Sequence, residues 1–166
     1  MLSNKDRQSL NLVVTKLRPL LGENLPTLVT NVIQDSIAII EAVSGSLPQK
    51  LSDHFCLEEF LASPTAVKNN ITLNPSATAY YNLSKLVTTV LEPARLELGK
   101  PIYVSSGYRS QSLNRLVGGV ATSYHLEGRA ADVSTANGFH KTLFNILSKL
   151  PHVELIDYGN FIHVAL

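Results

Sequence analysis

The chain has 166 residues, 45% apolar and 16% charged, with a formal net charge of +1. That length suits about one domain with a small appendage, and the near-neutral charge gives no sign of a nucleic-acid groove or polybasic membrane patch. A single cysteine, Cys56, excludes an intrachain disulfide; its apolar setting, Phe55 to Phe60, points to a buried structural thiol.

The first residues, Met1 to Arg7, lack a basic region followed by a long apolar run, so a protein cytoplasmic as synthesised, without a secretory signal, is expected. Leu10, Val13, Val14, Leu17, Leu20 and Leu21 recur at helical spacing over about residues 6 to 21, with Pro19 and Gly22 marking the end. Pro26 and Thr27 open a second helix that ends at Gly45. Asn31, Gln34 and Asp35 interrupt its apolar residues, so no membrane span is expected. Residues 1–48 thus form an N-terminal helical hairpin, with Ser44 to Pro48 as linker and the main domain over 49–166. The hairpin serves either as extra core or as a dimerisation or wall-targeting element, so oligomeric state is open.

Ser52 or Asp53 starts a short helix, and Ser76 caps a longer one that reaches Leu98-Gly99 and is kinked or ended by Pro93. Pro101 to Ser105 reads as a strand, Ser110 to Leu116 as a helical turn, Val117 to Val120 as a loop and Ala130 to Val133 as a strand. Gly138 to Leu150 reads as a helix, and Val153 to Leu166 as a hairpin turning at Gly159-Asn160. Helices followed by a small antiparallel sheet give an α+β class, with helices on one face of the sheet.

The chemistry concentrates in Ser123-Tyr-His125-Leu-Glu-Gly128-Arg-Ala-Ala-Asp132 and in Phe161-Ile-His163-Val. His125 and Asp132 have six residues between them, too many for one helix face; a turn at Gly128 leading into the strand brings both to one point. Two imidazoles and a carboxylate make a catalytic zinc set that leaves a fourth tetrahedral position for water. The bland alternatives are a capping histidine, a turn aspartate and, for His163, a satisfied core residue. Arg109 is either a surface or salt-bridged arginine, or a fixed cation that holds a substrate carboxylate or a developing oxyanion. Ser123 orients the loop, binds substrate or simply caps. His54, His140 and His152 fall outside the pattern and read as structural or exposed.

Ser106-Gly-Tyr-Arg-Ser110, Leu113-Asn-Arg115, Gly118-Gly119 and Ser123-x-His125-x-x-Gly128-x-Ala130-x-Asp132 together resemble the M15 zinc peptidases. Phe55-x-x-x-Glu59-Phe60, Leu91-Glu-Pro-x-Arg95 and Gly99-Lys-Pro101 resemble its D-Ala-D-Ala carboxypeptidase-like branch, which includes phage endolysins. The resemblance covers roughly residues 52 to 166. It implies the M15 fold shared with Hedgehog domains and a peptidase cutting peptidoglycan stem peptides next to D-amino acids. It also implies Zn2+ held by His125, Asp132 and His163, with Arg109 beside the metal and on the substrate.

The general base is where the chain departs from the family. Several branches place a glutamate three residues before the last histidine ligand, and others a histidine two residues before it; here those positions are Asn160 and Phe161. Glu154 and Asp157 on the preceding strand are the substitutes. A two-residue turn pairs Ile156 with His163 and puts Glu154 on the His163 face; a three-residue turn pairs Asp157 with His163. Asp157 is the favoured base. The competing function is a zinc-containing M15-like binding module without turnover; weaker still is a structural protein assembled through its hairpin.

Overall fold

The first helix, α1, spans Asn4–Leu17. It tightens into a 3-10 turn over Arg18–Gly22, where Pro19 has no amide to continue the α-helical hydrogen-bond ladder. The structure, a computed structural model, describes residues 4–22, 26, 29, 32, 33, 36, 37, 40 and 50–166. Those described between 29 and 40 are helical; the rest of the expected second helix, the expected linker and the 48/49 boundary lie outside the described residues.

Helix α2 (Leu57–Leu61) starts later than Ser52 or Asp53 would have it. The Cys56 amide donates to Glu59 Oε1 at 2.7 Å, closing the first turn. Phe55, Leu57 and Phe60 take the core side, so Cys56 is exposed rather than buried as its neighbours suggested. Ser52 and His54 instead grip Glu92, through Ser52 Oγ at 2.7 Å and His54 Nδ1 at 2.6 Å. Burial alone would raise the Glu92 carboxyl; the hydrogen bonds from Ser52 and His54 outweigh it and hold the group below its ordinary value. The folded state therefore binds fewer protons here than the unfolded one. This contribution is complete above the ordinary value of 4.5 and fades as pH falls below it. Glu92→Gln is expected to cost about 1.5 to 3 kcal/mol at pH 7. It should also flatten the acid limb of a denaturation-against-pH curve; an unchanged limb would contradict the assignment.

Ser63 caps α3 (Pro64–Lys68). Ser76 caps α4 (Ala77–Leu86), accepting from the Ala79 amide at 3.1 Å. The helix does not end at Pro93, which sits in the first turn of its last segment. It passes through a π turn, Val87–Leu91, and continues as α5 (Glu92–Leu98). There the Glu92 amide bonds the Val87 carbonyl five residues back, and the wider turn accommodates the donor that Pro93 lacks. Leu83, Leu86, Val87, Val90, Leu91 and Ala94 form one fully buried ridge along this helix.

The remaining elements are β1 (Ile102–Ser106), α6 (Gln111–Leu116), a 3-10 turn at Tyr124–Glu127, β2 (Ala130–Thr135), α7 (His140–Leu147), β3 (Glu154–Asp157) and β4 (Ile162–Ala165). α7 is shorter at both ends than its apolar spacing suggested. The strands form one antiparallel sheet in the order β1-β2-β4-β3, so the class is α+β.

The pleat divides the two central strands by function. Ala131 and Val133 on β2, with Ile162 and Val164 on β4, join the core with the helical ridge and with Leu143 and Leu147 of α7. The alternate residues, Asp132 and His163, face the other side. Among the described residues no helix is long and apolar enough to cross a membrane.

Candidate active site

Asp132 and His163 are directly paired across β2 and β4. Same-face neighbours on paired strands sit close, and here His163 Nδ1 lies 2.7 Å from Asp132 Oδ1. His125 arrives from the 3-10 turn, with Nε2 3.3 Å from the same oxygen. Its other nitrogen, Nδ1, donates to the Gly107 carbonyl at 2.6 Å, which fixes the tautomer and leaves Nε2 as the electron-pair donor.

Gly128 makes this convergence possible. It adopts φ +69°, the left-handed region, and a Cβ there would stand 2.2 Å from the Ala79 carbonyl oxygen. The chain thus reverses tightly against α4 between His125 and Asp132. Gly107 meets a similar restriction, since a Cβ would come within 2.6 Å of the Phe60 backbone.

The three donor atoms lie within 4.8 Å of one another and all three residues are buried. With exposures of 2%, 7% and 9%, His125, Asp132 and His163 are, with Asn114, the buried polar or charged residues among the described residues. Burial would raise the Asp132 carboxyl, but hydrogen bonds from the doubly protonated form of His125 and from His163, with the charges of that imidazolium and of Arg109, hold it far below the usual carboxylate range. An ionised carboxylate with two imidazole nitrogens is a mixed nitrogen and oxygen donor set that fits a divalent cation such as zinc.

The cluster forms the floor of a cleft of about 700 Å³. A family model described as peptidase M15 matches residues 53–165, more than half of the chain. This protein belongs to the M15 peptidase family. No curated protein matches the chain. The M15 match spans the sheet, the cleft and the ridge behind it, and leaves out the N-terminal helices.

Within the M15 domain, the sequence-expected residues Arg109, Ser123, His125, Asp132 and His163 all line the cleft. Arg109 is salt-bridged, donating from Nη2 to Asp132 Oδ2 at 2.8 Å and from Nε to Ser106 Oγ at 3.0 Å. Ser123 precedes the 3-10 turn and its side chain caps no amide.

The β3 carboxylates part company. The hairpin closes through Tyr158 N–H to the Phe161 carbonyl at 3.0 Å, and Ile156 opposes His163, the register of the two-residue turn. Glu154 therefore falls on the cleft side, with Oε2 3.1 Å from His163 Nε2. Asp157, expected as the base, is displaced by one residue of register and faces away. It accepts from His140 Nε2 and from the Gly159 amide, both at 2.7 Å, and these bonds hold its carboxyl below the ordinary value. Its place is a brace of the hairpin tip that carries the stacked Tyr158 and Phe161 rings at the cleft edge.

Two contributors escaped the sequence reading. Gly107 supplies a carbonyl, and no side-chain pattern announces a carbonyl. Asn114 donates from Nδ2 to the Val120 carbonyl at 2.9 Å and so holds the Val117–Val120 lip, where Gly119 leaves room for its side chain. The Leu113-Asn-Arg115 match was the available signal.

Proposed function

We propose that this M15 domain is a zinc peptidase that hydrolyses peptidoglycan stem-peptide bonds next to D-amino acids, as a D,D-carboxypeptidase or an endolysin-type endopeptidase. The observation carrying this reading is the convergence of His125, Asp132 and His163 at the cleft floor. These three residues would hold the ion. A bound Zn2+ supplies Lewis acidity toward a carbonyl and brings the pKa of water toward neutrality.

The remaining work belongs to the chain. Arg109 uses Nε and Nη2 on Ser106 and Asp132; a guanidinium has five donors, so N–H groups remain for a substrate carboxylate or a developing oxyanion. Ser123 offers a hydroxyl at the same wall. Glu154, rather than Asp157, takes the proton from the attacking water and returns it to the leaving amine as the C–N bond breaks. Support for Glu154 comes from its position in the cleft beside His163. Site of action is the cell wall, reached through a separate release factor.

Digestion of purified peptidoglycan, followed by mass spectrometry of the released peptides, tests the reading. The wild type should generate new peptide termini, lose this activity to a chelator and regain it with zinc. Glu154→Gln should keep its zinc and lose turnover by about 10²- to 10⁴-fold. Stoichiometric zinc with no product from the wild type would point instead to a binding module without turnover.

A further inference from the structure

β1 contains a register shift between Val104 and Ser106 where it pairs with β2. In a regular strand Ser105 and Ser106 would point to opposite faces; a bulge re-aims side chains. Here both hydroxyls serve Asp132. Ser105 Oγ donates to the Asp132 main-chain carbonyl at 3.0 Å, and Ser106 Oγ accepts from Arg109 Nε at 3.0 Å. Arg109 Nη2 then holds Asp132 Oδ2 at 2.8 Å, with side-chain exposures of only 15% and 11%. The Arg109 amide also donates to the His125 carbonyl at 3.1 Å. The two carboxylate oxygens are thereby given different partners: Oδ2 the arginine, Oδ1 the two histidine nitrogens.

We infer that Ser106 and Arg109 are positioning residues that make Asp132 a one-oxygen metal ligand. This rests on the zinc reading above and deepens it. The planar guanidinium can bond Ser106 and Asp132 at once because its donors are fixed in a fork; a lysine ammonium carries the same charge without that geometry. Ser106 fixes the rotation of the fork, the fork holds Oδ2, and Oδ1 is left facing the histidines. Outer partners of metal ligands act in this way, by orienting the first set of donors.

Two variants of the full chain keep the charge of the site constant. Arg109→Lys is expected to weaken zinc binding by about 10- to 100-fold and Ser106→Ala by about 10-fold, measured by competition with a chelator. Ser106→Thr, which restores the hydroxyl, should return the affinity to near the wild-type value. Cobalt substitution adds a readout independent of turnover. Both weakened variants should lose visible-band intensity, as a second carboxylate oxygen raises the coordination number, and the threonine variant should not.

Wild-type affinity and an unaltered cobalt spectrum in Arg109→Lys and Ser106→Ala would overturn the inference while leaving the zinc reading intact. So would a lowered melting temperature with the cobalt spectrum unchanged, the mark of a merely structural contact. Failure of the wild type to retain zinc would overturn both.

Discussion

His125→Ala is expected to abolish metal retention and peptidoglycan hydrolysis together. The imidazole contributes Nε2 to the donor set and anchors itself through Nδ1 on the Gly107 carbonyl. Its removal leaves two donors, so zinc affinity should fall by more than the roughly 100-fold that loss of an outer partner costs. The same substitution opens a cavity at a residue only 2% exposed and strands a carbonyl, so circular dichroism and a melting curve on the zinc-free protein must accompany the assay. A folded variant that keeps a full equivalent of zinc would show that His125 is not a ligand.

The second large effect is structural. Gly128→Ala is expected to destabilise the domain by about 3 kcal/mol or more, from the left-handed φ and the overlap of the new Cβ with the Ala79 carbonyl oxygen. For a chain of this size the melting temperature should fall by about 6 to 12 °C. Gly99→Ala is the control, because Gly99 has φ +62° but nothing within 4 Å of a built Cβ. It should cost only about 1 to 2 kcal/mol, the backbone share alone. Equal losses in the two variants would mean that the contact with α4 is not what demands a glycine at position 128.

Legibility in the sequence followed locality. Ser76 as a cap, the helix behind it and the Gly159-Asn160 turn were readable because each depends on a few neighbouring residues. The convergence of His125 and Asp132 was readable for the same reason: Gly128 and the small Ala130 and Ala131 fit one reversal into one strand. Asp157 misled because hairpin register reverses with a single residue of turn length, and both registers were compatible with the composition. Cys56 misled because its apolar neighbours are core residues while position 56 itself is a helix cap. The π turn before Pro93, the bulge at Ser105 and the Gly107 carbonyl are backbone events. The bulge and the carbonyl contact join segments far apart in the chain, and no residue type marks them in advance; Pro93 marks an interruption of the helix but not that a π turn would absorb it.

The central claim is that His125, Asp132 and His163 hold one divalent ion between them. X-ray absorption at the zinc edge on the wild-type protein, with metal content measured on the same sample, tests it most directly. One equivalent of zinc is expected, surrounded by nitrogen and oxygen neighbours at about 2.0 to 2.2 Å. No retained zinc, or a sulfur neighbour from Cys56 at about 2.3 Å, would contradict it.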